Sequence, residues 1–223
     1  MGRRALALAV LAVAAGLLAL ALPRLQASLA FLPVDTALKR YARNGDIPSA
    51  QLDALQARAA QALALHPHYR YHDALSLLNY LEAIDERGKP WLQRPALRRS
   101  VDAGLAATAR APAMPRTWLR IARARSVLGE DPAAIAAALE LSILAGRVEP
   151  PLLLPRLELG YAHLERLGTD TVALLRDQTL LAWRVNERGF RRALRDGRLD
   201  LSRIESVIGN RDVTIIEAMR ERD

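Results

Sequence analysis

Residues 5–22 read ALALAVLAVAAGLLALAL, an unbroken apolar run of 18 with Arg3 and Arg4 before it and Arg24 after it. No other stretch constrains the chain as tightly. At about 1.5 Å per residue, a helix over this run spans roughly 27 Å, close to the ~30 Å hydrocarbon core of a bilayer. A removable secretory signal has an apolar core of about 7–15 residues. This run is longer, although Ala19-Leu20-Ala21 has the form of a cleavage site, and Leu25, Leu29, Phe31 and Leu32 carry the apolar pattern past it. The seven Leu favour insertion by about 0.5 kcal/mol each. The expectation is an uncut transmembrane signal-anchor over residues 1–24 that meets lipid through residues 5–22. Its basic start stays in the cytoplasm and the body crosses, which in a bacterium means a single-pass inner-membrane protein with a periplasmic C-terminal domain.

About 200 residues follow, enough for one domain or a short repeat array with a real core. Hydrophobic residues are 51% and charged residues 25% of the chain, a composition that argues against a disordered chain. The absence of Cys excludes disulfides, thiol catalysis, a lipoprotein anchor and thiolate metal sites. Of the 32 basic residues only Lys39 and Lys89 are Lys, and the net charge is +8. So much Arg raises nucleic acid as a partner. Aromatic residues at 4% supply few stacking platforms, so the expectation is no nucleic acid and a solvated, Arg-rich surface.

The body reads as helix after helix. A first runs from about Pro33 to Arg43 and stops at Asn44-Gly45, and Ser49 opens a second that ends at His66-Pro67. A third covers HDALSLLNYLEAIDER, a fourth Pro95 to Ala109, and a fifth Pro115 to Gly129. Asp131-Pro132, an N-cap followed by Pro, starts a sixth that ends at Gly146. A seventh spans Leu152 to Leu167, and an eighth runs from Thr169 or Asp170 to about Gly189. Two shorter helices, Leu201 to Ile208 and Val213 to Arg220, close the chain. No segment alternates with period two, so the predicted fold class is all-α.

The punctuation has a spacing. Ala62 precedes Pro67 by five and Ala107 precedes Pro112 by five; Trp118 follows, then Gly129 and Ala134, and LELGYAHLERLG gives a further first-helix pattern. Tyr80 stands thirteen after Pro67. On these residues the chain resembles a tetratricopeptide repeat protein over roughly residues 34–190. The sequence departs from that family where Gly146 replaces an exit Pro and Arg156 stands in place of a bulky residue. The resemblance implies antiparallel helical hairpins stacked as an α-solenoid over residues 25–198, capped by residues 199–223. It also implies a scaffold that grips a protein partner in a membrane complex, with no chemistry and no cofactor of its own. Polysaccharide biosynthesis or export, or secretion, are the settings expected for a cell-envelope scaffold. The alternatives are a cleaved, soluble periplasmic ligand- or metal-binding protein, or an accessory subunit of an envelope enzyme.

Candidate site residues are few. Arg116, Arg120 and Arg123 lie at i, i+4 and i+7 on the fifth helix, a stripe suited to an acidic peptide, with Trp118, Ile121, Ala122 and Leu128 expected toward the core. His163 stands alone in YAHLERLG and joins them as a partner-binding candidate. His66, His68 and His72 in LHPHYRYH are the candidates for a metal, but Pro67 separates His66 from the others and exposed turn histidines are the expected outcome. A second basic run places Arg184, Arg188, Arg191 and Arg195 on neighbouring turns, either facing anionic headgroups or simply solvated. No catalytic residue is expected: the sequence holds no nucleophile elbow, zinc-protease signature, phosphate loop or dinucleotide fingerprint.

Overall fold

The computed structural model describes residues 2–209 together with 216, 217 and 219. Those residues form ten α-helices and one short 3₁₀ turn, with no strand among them. The helices are α1 (Gly2–Asn44), α2 (Ser49–Leu65), α3 (Tyr69–Asp85), α4 (Pro90–Arg110), α5 (Pro115–Leu128), α6 (Pro132–Ala145), α7 (Pro150–Ala162), α8 (Thr169–Val185), α9 (Glu187–Arg195) and α10 (Leu201–Ile208). The chain divides after Arg110 into two compact units, α1–α4 and α5 onward.

The apolar run and the first body helix are one element. Residues 2–44 form a single helix of 43 residues, about 64 Å long at 1.5 Å per residue, with Pro23 and Pro33 inside it. The sequence predicts a new helix from Pro33, because Pro removes an N–H and crowds the carbonyl four residues earlier. The helix continues because buried contacts hold it on both sides of Pro33. Ala27, Phe31 and Val34 are buried at i, i+4 and i+7, packed with Leu52, Leu55, Ala59 and Ala62 of α2 and Tyr71, Ala74 and Leu78 of α3. By contrast, residues 6–26 are exposed along their whole length. Among the described residues this is the one helix long and apolar enough to cross a membrane.

In the first unit, α2 runs back along α1, α3 returns and α4 pairs with α3. Small residues set the α3–α4 seam. Ala83, Ala96, Gly104 and Ala107 are buried, and Ser76 and Ser100 each donate a hydrogen bond of 2.8 Å to the other's backbone carbonyl. The two hydroxyls satisfy themselves inside the seam, so the helices approach closely without stranding a polar group.

In the second unit, α5 pairs with α6 and α7 with α8. Gly129 ends α5 in the left-handed region (φ 69°), and the Asp131 side chain caps α6 by accepting from the Ala133 N–H at 3.0 Å, both as the sequence predicts. Gly160 brings α7 against α8: a Cβ there would lie 2.5 Å from Cδ1 of Leu175, which is fully buried. The eighth helix is shorter than expected. It stops at Val185, and Asn186 caps α9 by accepting from the Gly189 N–H at 3.1 Å. The core gathers Leu153, Leu157, Leu175, Phe190 and Ile204. Of the closing helix expected over Val213 to Arg220, Ile216, Glu217 and Met219 are helical and the rest lies outside the described residues.

Candidate functional site

The arginine stripe of α5 is not one surface. Arg116 is exposed, Arg120 is buried with a terminal nitrogen 3.5 Å from the Thr117 hydroxyl, and Arg123 is half-buried against Glu158 at 3.2 Å. The reason is the width of the buried face. Thr117, Leu119, Ile121, Ala122, Ala124 and Leu128 all lose water, so a position at i+4 from an exposed residue still falls inside. Trp118 is only half-buried, its indole N–H donating to the Pro112 carbonyl at 2.9 Å.

Two of the four residues expected to bind a partner do share a seam. Arg123 reaches Glu158 of α7, and Ser126 stands 2.7 Å from Nε2 of His163 at the end of α7. Glu158 also holds Arg198 at 2.6 Å, so one carboxylate ties α5, α7 and the segment after α9 together. Burial lowers the His163 pKa, with the Arg166 charge adding to it, so the imidazole is neutral at pH 7. A cavity of about 200 Å³ lies beside it, with Arg166 and Arg203 on its walls.

Among the described residues the largest fully buried side chain is one the sequence registers only as a departure from pattern. Arg156 is fully buried in α7, and its guanidinium donates to the Ser142 hydroxyl (3.0 Å) and carbonyl, the Gly146 carbonyl (3.0 Å) and the Gln178 side-chain oxygen (3.1 Å). Gln178 in turn donates to the Arg147 carbonyl at 2.9 Å, and Ser142 to the Pro115 carbonyl at 2.8 Å. Desolvation pulls the Arg156 pKa down to about 10, and Glu149 opposes the fall, so it stays a cation at neutral pH. The Ser142 and Gly146 oxygens it meets sit at the C-terminal end of α6, where the helix dipole is negative. Arginine thus does the packing that a bulky apolar residue was expected to do, and closes the α6–α7–α8 junction as well.

The histidines sit in the first unit, where α2 turns into α3. His66 caps the end of α2 and His68 the start of α3, where its Nδ1 accepts from the Arg70 N–H at 3.3 Å. Their rings stack at 6.1 Å between centroids. His72 lies a turn further on, its buried Nε2 without a hydrogen-bond partner. Among the described residues no group of three or more His, Asp or Glu stands close enough to hold a metal ion. What the histidines share is cationic company. Burial lowers the pKa of both His68 and His72; His66 and Arg70 add to the fall at His68, and Arg110 at His72.

The second basic run is partly structural. The Arg191 guanidinium lies 4.6 Å over the Trp183 ring and pairs with Glu187 at 2.8 Å, and Trp183 meets Phe190 edge-on at 5.6 Å. Arg184, Arg188 and Arg195 are exposed. No protein-family model, no curated protein and no solved structure matches this chain.

Proposed function

We propose that the chain is a membrane-anchored, tetratricopeptide-like helical scaffold that holds a protein partner in a bacterial cell-envelope assembly, with its body in the periplasm. The observation that carries this reading is the continuity of α1. One helix provides an exposed apolar span of membrane length and, without a break, the Ala27, Phe31 and Val34 face on which the first unit is built. Cleavage after Ala21 would cut through the middle of that helix. A domain fused to its span without a flexible linker is held at fixed height and angle over the bilayer, which suits docking more than diffusion.

The hairpin architecture supports the scaffold part of the reading. The pairs α3–α4, α5–α6 and α7–α8 are antiparallel neighbours joined by short turns, the arrangement helical repeats use to expose long faces. Leu25, Leu29 and Leu32 add support for a protein partner. They continue the spacing of Leu18 and Leu22 past Arg24 and are exposed, so they offer a helical seam where the span leaves the lipid.

Alkaline carbonate extraction of membranes and single-cysteine labelling test this. The chain has no Cys, so one Cys placed at exposed Arg116 reports topology without background. The full-length chain is expected in the carbonate-resistant fraction, with the label accessible from the periplasmic side. Photo-crosslinking from position 29 or 32 in native membranes is expected to capture a discrete partner. A mature chain released without residues 1–21 would end the anchor reading, and labelling from the cytoplasmic side would reverse the topology.

A further inference from the structure

The turn between α2 and α3 lies beside α1 where the apolar run ends. A cavity of about 230 Å³ opens there, lined by Arg24 and Ser28 of α1, His66 and His68 of the turn, and Arg70 and Tyr71 of α3. Arg24 follows Leu22 by two residues and Ser28 by six, so they stand about 3 and 9 Å of helix rise beyond the apolar run. The headgroup layer on each side of a bilayer is roughly 5–7 Å thick. The Arg24 rim of the cavity therefore lies at headgroup depth if α1 spans the membrane, and Ser28 stands just beyond it.

Its charge is one-sided. Among the described residues no carboxylate pairs with Arg24. The carboxylate that Arg70 meets, Asp35, is shared: one oxygen meets Arg70 at 3.0 Å and the other Lys39 at 2.6 Å. Arg70 spends one terminal nitrogen on Asp35, which leaves its other terminal nitrogen and Nε as donors. Because the His68 Nδ1 accepts a backbone N–H, its Nε2 carries the proton and is a donor at the cavity. Tyr69 is exposed, with its ring 4.5 Å from His68, and amphipathic aromatics of this kind settle at the headgroup level.

We propose that this cavity binds the phosphate of an anionic phospholipid headgroup, with Arg24 and Arg70 supplying the charge-assisted donors and Ser28 and the His68 Nε2–H the neutral ones. A phosphate presents several acceptor oxygens around one centre, which suits a cavity lined by two arginines, a serine and a histidine from three chain segments. The proposal rests on α1 being a membrane span, and it explains the histidine pair without a metal. The lowered His68 pKa agrees with it: burial lowers it most, and the neighbouring His66 and Arg70 add to the fall, so further positive charge is disfavoured before a phosphate arrives.

The test uses the full-length chain in neutral detergent and in nanodiscs. In detergent, His68 and His66 imidazole resonances are followed while adding short-chain phosphatidylglycerol, short-chain phosphatidylcholine or inorganic phosphate. Phosphatidylglycerol is expected to shift them with an affinity about tenfold or more above the other two. Arg24→Gln with Arg70→Gln should weaken that response by about tenfold or more, at roughly a factor of five per cation. Arg184→Gln with Arg188→Gln should leave it unchanged. In nanodiscs of phosphatidylcholine with phosphatidylglycerol, native mass spectrometry is expected to find phosphatidylglycerol retained on the chain and lost in the Arg24/Arg70 variant.

Inorganic phosphate binding as tightly as the lipid would assign the cavity to free phosphate and overturn the lipid source. No shift with either, or an unchanged response in the double variant, would overturn the site. A chain that carbonate strips from membranes but that still binds phosphatidylglycerol in detergent would overturn the span alone. Circular dichroism of the variants checks that they fold, and Arg24→Gln by itself touches no internal ion pair.

Discussion

The two units bring helices together by opposite means. In the first, α3 and α4 meet through Ala, Gly and two serines that satisfy each other, and among the described residues nothing charged is fully enclosed. In the second, α6, α7 and α8 meet around a guanidinium with no exposure at all, held by carbonyl, hydroxyl and amide oxygens. A small-residue seam tolerates loss of one hydrogen bond because its packing remains. A buried cation tolerates little, because each oxygen it satisfies lies equally far from water. The second unit should therefore be the more sensitive to a single polar change.

Arg156→Ala is the largest test of that contrast. It removes a fully buried side chain, leaves Gln178 and the carbonyls of Ser142 and Gly146 without their donor, and opens a cavity. The expected cost is about 3–5 kcal/mol. Hydrogen exchange on the full chain in detergent should accelerate in α6, α7 and α8 while α2, α3 and α4 stay protected. Uniform acceleration through both units would mean that they unfold together. Arg156→Lys keeps the charge but replaces the fork with one nitrogen, and about half the loss should persist.

Leu78→Ala is the matching change in the first unit. Leu78 is fully buried among Phe31, Leu55 and Tyr71, and its truncation should cost about 3 kcal/mol, the usual price of an unfilled core cavity. Here the accelerated exchange should fall on α2, α3, α4 and the second half of α1. Exchange in residues 6–22 of α1 should not change, because their protection comes from lipid or detergent. Faster exchange there would show that the span depends on the body for its helix.

How far the sequence foretells these seams follows from the same contrast. Helix limits are legible where caps and stops mark them: Ser49, Pro115, Asp131-Pro132 and the Gly stops place α2, α5, α6 and α10 nearly to the residue. Arg156 is not, since hydrophobic periodicity treats an Arg as surface, and only its place in an otherwise apolar run, PPLLLPRLELG, marks it. The α5 stripe fails for a related reason. Spacing shows that Arg116, Arg120 and Arg123 share a side, but not how much of the helix is enclosed, and Arg120 falls within the buried part. Asn186 is hidden because an apolar pattern runs across it; an Asn followed by Glu is an N-cap signature that outweighs the pattern. The histidine turn is placed correctly by Pro67. Its electrostatic character depends on burial and on Arg110 of α4 coming near His72, which are matters of tertiary structure.

A smaller perturbation asks whether the self-satisfied seam is as forgiving as its geometry implies. Ser100→Ala deletes one of the two reciprocal hydrogen bonds and keeps nearly all of the packing, since alanine occupies the same space less one atom. The Ser76 carbonyl retains its helical N–H partner, so no acceptor is stranded. The loss should be about 1 kcal/mol, read as a drop in the denaturant midpoint. A loss as large as that of Arg156→Ala would erase the distinction between the two seams.

The smallest effect is one of pH, and it divides unevenly between the units. Burial lowers the pKa of His68 and His72 in the first unit and of His163 in the second, with neighbouring cations adding to each. A base whose folded pKa lies below its unfolded value takes up fewer protons when folded, so stability rises with pH through that interval. The contribution is complete above the ordinary histidine value of about 6.5 and is lost as pH falls through the lowered folded values. Asp200, whose carboxyl is held below its usual range by hydrogen bonds from Ser202, titrates well beneath this window and does not confuse it. Hydrogen exchange at pH 7.5 and again at pH 5, corrected for the intrinsic rate, should show a greater loss of protection in α2, α3 and α4 than in α5 and α7. His72→Gln should flatten the first unit's dependence and His163→Gln the second's. Equal losses in the two units, or losses unmoved by either substitution, would place the acid sensitivity elsewhere.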